Sequence, residues 1–376
     1  MVESLSKFKS ITYYVLDYIW RDKLLLILII LFLLFLVFIP GFAQSFPTYI
    51  DWNTLCLIVF YIILSRAFII SGLIDNLALR IVRISSDLYK LYYLIVFTTI
   101  LVSLLATNDG AVLIMTPLMI SVSRLLRRDY KKLVVLVLLS ANTGSILFPF
   151  SNPQNIIIWQ HYELSIFSII MVTAPLMGIL LTILLFQVFL WIRGERCREC
   201  KPVVLPRIKI RSLLAYSSII LLFTGVLLGE YRYGVIALLL EIIVLLIIDR
   251  RVFKGVDYGL IIIFLLIFPL FKELSIMISS YYRVSLYGLT LYLLSIGLSQ
   301  LISNVPATIA LISYTSDWKT LLIGVNIAGY LSPIGSLANM IGLRISGMRF
   351  LEYFKYAIIY NLIVLFIGII IVLFLQ

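Results

Sequence analysis

The chain alternates long apolar runs with short polar breaks that are mostly basic. Runs such as Leu24 to Ile39 and Leu260 to Leu270 carry no charged residue. About 20 apolar residues cross the hydrocarbon core as a helix, so runs of this kind predict transmembrane helices and argue against a β-barrel. The pattern predicts spans near 22–40, 51–72, 131–160, 165–192, 212–229, 234–249, 257–272, 319–343 and 354–375. Two further apolar pairs, 90–127 and 285–316, are each broken near the middle by polar residues and read as re-entrant hairpins.

Residues 142 to 155, NTGSILFPFSNPQN, and 326 to 339, NIAGYLSPIGSLAN, share one polar frame. Asn142, Pro149 and Asn155 align without a gap on Asn326, Pro333 and Asn339. Lipid offers backbone amides no partner, so a helix-breaking stretch at membrane depth is tolerated only where protein buries it or a cavity hydrates it. One such stretch per half predicts a binding site between repeats.

Composition and charge sharpen this picture. The 376 residues are 62% hydrophobic and 13% charged, with a mean hydropathy of +1.13. Soluble globular domains lie far from these values. The formal charge of +12 does not imply nucleic acid, because the basic residues sit in short loops between apolar runs. With the spans above, 25 Lys and Arg fall on one side and 4 on the other, namely Arg232, Lys272, Arg283 and Lys319. The positive-inside rule makes the basic side cytoplasmic, which puts the N-terminus inside and the C-terminus outside a plasma membrane. No clear small-residue cleavage site occurs near Phe42 to Ser45, so the first run is expected to be a retained helix.

Under this assignment both ends of the first hairpin lie inside and both ends of the second lie outside. The expected fold is therefore an all-α polytopic membrane protein of two inverted-topology repeats, each with a re-entrant hairpin and a broken transmembrane helix. Residues 1–21 form a cytoplasmic segment, 22–192 the first repeat, 193–211 a basic cytoplasmic linker, 212–233 an extra helix with an outer loop, and 234–376 the second repeat. Pro202 and Pro206 argue against a continuous helix in the linker.

The candidate chemistry lies at the breaks. The first tip reads Ala106-Thr107-Asn108-Asp109-Gly110, and the second reads Ser303-Asn304-Val305-Pro306-Ala307. The N-terminus of each following half-helix attracts an anion through its free N–H groups, while carbonyls freed by the preceding half-helix can hold Na+. Asn also caps helices in any protein, and this role competes at every single break. Four coordinated breaks favour a site. To the tips they add Asn142, Thr143, Gly144, Pro149, Asn152 and Asn155 in the first half, and Asn326, Gly329, Pro333, Gly335, Ser336 and Asn339 in the second.

Asp109 is the sharpest candidate, because a carboxylate near the bilayer centre is costly unless paired, hydrated or protonated. Val305 takes its place in the second hairpin, so coupling is expected at this asymmetry, by a proton or by Na+ held at Asn108, Asp109 and Asn304. Arg66 and Glu241 are the other ionisable residues deep in apolar runs. They could pair with each other, or Arg66 could attract a substrate anion. His161 reads as a loop residue, and one C-x-x-C, Cys197 with Cys200, cannot complete a tetrahedral metal site. No H-E-x-x-H site, P-loop or G-x-S-x-G elbow is present, so no enzyme activity and no resident cofactor are expected.

The runs Thr107 to Pro117, Ser151-Asn152-Pro153-Gln154-Asn155, Ser303 to Ala307 and Ser332-Pro333-Ile334-Gly335-Ser336 resemble the ion transporter superfamily. The likeness is strongest to its citrate-transporter-like branch, which includes arsenite efflux permeases, and spans nearly the whole chain. More distant sodium-dicarboxylate symporters carry a Ser-Asn-Thr triplet at each tip, holding Na+ and substrate carboxylates. By that resemblance Thr107, Asn108 and Asp109 form one half-site, and Ser303, Asn304 and Val305 the other. Asp109 and Val305 both replace the family's Thr, which weakens paired-triplet binding and strengthens proton coupling through Asp109. The resemblance also implies a homodimer whose transport domain slides past a scaffold domain in elevator fashion.

The expected function is secondary active transport of a small inorganic or carboxylate anion, driven by a proton or Na+ gradient. Arsenite or antimonite efflux is the alternative within transport. A passive channel or membrane sensor on the same fold is the alternative from another class.

Overall fold

The computed structural model describes residues 22–73, 76, 87–125, 129–193, 210–281 and 285–375. The segment 1–21, the Cys197/Cys200 pair, Pro202, Pro206 and Arg283 lie outside the described residues. Helices follow in the order α1 (Lys23–Phe38), α2 (Phe42–Tyr49), α3 (Trp52–Ser71), α4 (Leu88–Leu125), α5 (Tyr130–Ser145), α6 (Pro153–His161), α7 (Ile166–Arg193) and α8 (Ser212–Glu230). The second part holds α9 (Gly234–Asp249), α10 (Tyr258–Tyr281), α11 (Gly288–Ile302), α12 (Asn304–Ile312), α13 (Trp318–Leu331), α14 (Leu337–Ser346) and α15 (Phe350–Leu375). The described residues contain no strand, so the all-α expectation holds.

Polar residues at the loop edges start these helices. The side chains of Asp22, Asp51, Asp129 and Asp317 accept from the backbone N–H of Leu25, Thr54, Lys131 and Thr320, at 3.0–3.1 Å. Each bond satisfies a donor that the first turn cannot pair internally. The outer faces of α8, α9 and α15 present large apolar side chains such as Phe223, Ile247 and Phe374, the last 86% exposed. Such a surface suits lipid, and α3, α7, α8, α10 and α15 are long and apolar enough to cross a membrane.

Three boundaries differ from the pattern-based expectation. A short helix, α2, occupies 42–49 and contains Pro47; its polar Gln44 and Ser45 hid it from a reading keyed to long apolar runs. It is held by Phe42 and Phe46 packed edge-on to Phe32 of α1. Helix α10 continues past Lys272 and Glu273 to Tyr281, because charged residues do not stop a helix that has reached the membrane surface. Helix α15 starts at Phe350 rather than 354.

Both broken pairs turn back on themselves. A straight helix of 38 residues, the extent of α4, would be about 57 Å long, nearly twice the hydrocarbon core. Thr107, with φ of +63°, interrupts its course. Before this residue α4 runs beside α5, with the Lys132 ammonium 5.9 Å from the Tyr92 ring centre and Ser103 Oγ donating to the Ala141 carbonyl at 2.7 Å. After it, Val112 comes back to Leu138, both packed around Gly342. In the second pair the turn is at Ser303, φ +74°. There Leu286 N–H donates to the Tyr314 carbonyl at 2.9 Å, so the two ends of 285–316 meet.

At the end of α3 that carries Asn53, four elements are tied together. Asn53 Nδ2 donates to Gln160 Oε1 at 2.7 Å, Gln160 Nε2 to the Gly229 carbonyl and Gly234 N–H to Asn53 Oδ1, both at 2.6 Å. Glu163 and Arg232 pair across the same junction, and both have positive φ. Gly234 is required by close approach, since a Cβ there would lie 2.4 Å from the Asn53 carbonyl oxygen. Gly234→Ala should therefore lower stability by about 1–3 kcal/mol. Thermal unfolding in detergent reads this as a lowered midpoint; an unchanged midpoint would show that the junction yields freely.

Candidate functional site

The two helix breaks are built from each other. Asn142 Nδ2 donates to Asn339 Oδ1 at 2.8 Å, and Asn326 Nδ2 donates to Asn155 Oδ1 at 2.8 Å. The alignment that superposes 142 on 326 and 155 on 339 superposes these bonds as well. Each donor also reaches the carbonyl four residues back, Leu138 at 3.1 Å and Leu322 at 2.8 Å. The correspondence extends to position 152 against 336, where Asn152 Nδ2 donates to Asn326 Oδ1 at 3.1 Å and Ser336 Oγ to Asn142 Oδ1 at 3.2 Å.

The acceptor asparagines then repair the broken backbone. Asn155 Nδ2 donates to the Ile146 carbonyl at 3.1 Å, and Asn339 Nδ2 to the carbonyls of Gly329 at 2.7 Å and Ser332 at 3.2 Å. These carbonyls lost their helical partners when the chain turned at Pro149 and Pro333. All four asparagines are buried. A membrane interior leaves such groups no water, so each break repairs its own carbonyls and its asparagine side chains pair with those of the other half.

The small residues pack the same junction. A Cβ at Gly144 would lie 2.8 Å from the Ile100 carbonyl oxygen, and one at Gly335 would lie 2.3 Å from that of Ala328. The Gly335 carbonyl accepts from Asn304 N–H at 3.2 Å, which fastens the second hairpin tip to the second break. Gly329 faces Asn304, Ser336 and Asn142. Thr143 Oγ1 donates to the Leu139 carbonyl at 2.8 Å and accepts from the Tyr330 hydroxyl at 3.1 Å. Pro306 sits in the first turn of α12, where its missing N–H breaks no bond.

The first tip opens differently. Thr107, Asp109 and Gly110 line a cavity of about 620 Å³ together with Arg66 of α3, Gly255 and Asp257 of the α9–α10 connection, and Arg344 of α14. Asn108 Oδ1 accepts from Asp109 N–H at 3.0 Å, and Thr107 Oγ1 accepts from Gly110 N–H at 3.4 Å. Asp109 is only 8% exposed, and its buried Oδ1 has no hydrogen-bond partner. In the second tip Ser303 Oγ donates to Asn304 Oδ1 at 3.4 Å, and Val305 is buried.

The candidate residues thus separate into two groups. Thr107, Asp109 and Gly110 face the cavity, whereas Asn142, Asn155, Asn326 and Asn339 do not line it and bond to one another. The matched frames lie outside the lining of this cavity, and they join the two halves through their asparagines. Arg66, Asp257 and Arg344 complete the lining; of these, Arg66 alone carried a signal in the sequence, as a charge in an apolar run.

A pairing of Arg66 with Glu241 is not what the structure contains. Glu241 is fully buried and neither carboxylate oxygen has a hydrogen-bond partner, while the Arg66 guanidinium lies against Gly255. Helix α9 directs Glu241 into the packed interior, and α3 directs Arg66 into the cavity. His161 ends α6 and packs edge-on to Tyr162, 4.9 Å between ring centres. Among the described residues no group of His, Cys, Asp and Glu could hold a metal ion.

Residues 13–318 match the family described as citrate transporter. This chain belongs to the citrate transporter family. It is 31% identical over 332 residues to the inner membrane protein YbiR of Escherichia coli (strain K12), covering 87% of this chain and 89% of that protein. An uncharacterized transporter of Methanocaldococcus jannaschii is 30% identical over 303 residues, covering 79% and 82%. Among solved structures, the YdaH transporter of Alcanivorax borkumensis matches with 12% identity and a TM-score of 0.45, over 89% of this chain and 86% of that one. The protein is a membrane-embedded transporter of the citrate transporter family.

Proposed function

We propose that this protein is a secondary active transporter of a small anion or oxyanion, with coupling by a proton or Na+ at Asp109. The observation that carries the reading is the first hairpin tip. It places a buried carboxyl with an unpartnered oxygen at a helix break, on the wall of a cavity of about 620 Å³. A carboxyl in that position must be paired, hydrated or protonated, and binding a cation or proton together with substrate satisfies it. The reciprocal asparagine bonds support two inverted repeats that enclose one site.

The remaining parts of the reading follow from the charge pattern. With the basic loops inside, the cavity lies toward the cytoplasm, because Gly255 and Arg344 adjoin those loops. The tied junction of Asn53, Gln160, Gly229 and Gly234 lies at the opposite, outer end. Its seal would break and the cavity close when the site is exposed outward. Elevator movement by a homodimer is the form of alternating access proposed.

Reconstitution into liposomes tests this function. With imposed pH and Na+ gradients and a panel of citrate, dicarboxylates, sulfate, phosphate and arsenite, saturable uphill accumulation of an anion is expected. Flux of arsenite alone would transfer the assignment to metalloid efflux. Passive, non-saturating flux would indicate a channel, binding without flux a sensor, and no anion movement under any gradient would end the transporter reading.

A further inference from the structure

We infer that Arg66, seated on the bare backbone of Gly255, selects substrate by its negative charge and that the cavity takes a small anion with paired oxygens, a carboxylate or an oxyanion. The inference rests on the transport reading above and adds to it the group that recognises the substrate. Arg66 belongs to α3, not to either hairpin or break, so it lines the cavity from a different element than Asp109 does. It makes no ion pair among the described residues, and its Nε is buried without a hydrogen-bond partner. Asp109 Oδ1 is also buried and unpartnered, and the two groups are not bonded to each other.

A guanidinium with a nitrogen buried without a partner is costly unless something answers it. Its planar fork matches two oxygens of a carboxylate or oxyanion in parallel, which a compact ammonium cannot do. A substrate anion between Arg66 and the Thr107–Gly110 tip would answer the charge of the one and the open hydrogen-bonding position of the other. Arg344 lines the same cavity beside the carboxylates of Asp109 and Asp257, so the wall carries two basic and two acidic groups, and the anion's place is set locally by the unpaired guanidinium of Arg66.

The seat explains the glycine. A Cβ at position 255 would lie 2.2 Å from both Nε and Nη2 of Arg66, and 2.4 Å from Cζ. The guanidinium occupies the space that any other residue's side chain would need. Gly255→Ala therefore moves the guanidinium while leaving its charge on the protein. That variant separates placement from charge, which Arg66→Gln alone cannot do.

The test compares wild type, Arg66→Gln, Arg66→Lys and Gly255→Ala in liposomes, with initial rates measured against concentration for whichever of citrate, succinate or sulfate the wild type accumulates. Arg66→Gln is expected to raise KM about tenfold or more, the loss of a charge-assisted hydrogen bond. Gly255→Ala is expected to raise KM by about threefold or more with the charge retained, and Arg66→Lys to fall between wild type and Arg66→Gln. Should Arg66→Gln fail to fold, as judged by its unfolding midpoint, Gly255→Ala decides. Unchanged KM in the folded variants would overturn the inference while leaving transport intact. A wild type that moves only neutral arsenite, or no substrate at all, would overturn it together with the reading beneath it.

Discussion

Asn326→Ala should be among the most destabilising single substitutions in the chain. The amide donates to Asn155 Oδ1 and to the Leu322 carbonyl, and its oxygen accepts from Asn152 and Gln154. Truncation removes partners from several groups that are at most a few per cent exposed. Each buried group left without a partner costs about 1–3 kcal/mol, more than the bond itself contributes on balance, because water cannot replace it. Asn142→Ala should act alike through Asn339 and Ser336, since those bonds correspond position by position. Thermal unfolding in detergent should show midpoints depressed in both variants. The double variant Asn155→Ala with Asn326→Ala should cost clearly less than the two single costs combined, because both remove one shared bond. Strictly additive losses would mean the two amides act independently and that the observed bond contributes little.

Asp109→Asn should abolish uphill transport. The substitution keeps the size of the side chain and one carbonyl oxygen but removes the site of proton or cation binding. With coupling at Asp109, the variant should still carry substrate down its own gradient, yet imposed pH or Na+ gradients should no longer drive accumulation. Dependence of the rate on pH should flatten too, since asparagine does not titrate in this range. Liposome flux with and without an imposed gradient measures both effects. Retention of gradient-driven accumulation, with its pH dependence, would assign coupling elsewhere. The fully buried Glu241, with neither oxygen bonded, would be the next carboxylate to replace.

The sequence disclosed the breaks because lipid makes irregular backbone rare. Asn142, Pro149 and Asn155 could not stand inside an apolar run unless something satisfied them, and their counterparts recurred with the same spacing. Both tips were legible for the same reason, and the turns fall at Thr107 and Ser303, each just before an asparagine. The use of the four asparagines was not legible. An amide that would bind a substrate and one that binds a facing helix look alike in a sequence, and only the fold brings residue 142 against 339. The cavity was hidden too: Gly255, Asp257 and Arg344 sit near ordinary surface charges, and none departs from the local pattern. Gly255 gains meaning only once α3 sets a guanidinium upon it.

The exchanged asparagine bonds also bear on how the chain is made. The partner of Asn142 lies 197 residues downstream and that of Asn155 lies 171 downstream. When the first broken helix enters the membrane, the amides that will complete it have not yet been synthesised. Until α13 and α14 arrive, the Asn142 amide and the Asn155 side-chain oxygen lack their partners from the second half. The first turn holds its own carbonyls through Asn152 and Asn155, so what waits for residue 339 is the lock between the two halves, a late event in biogenesis.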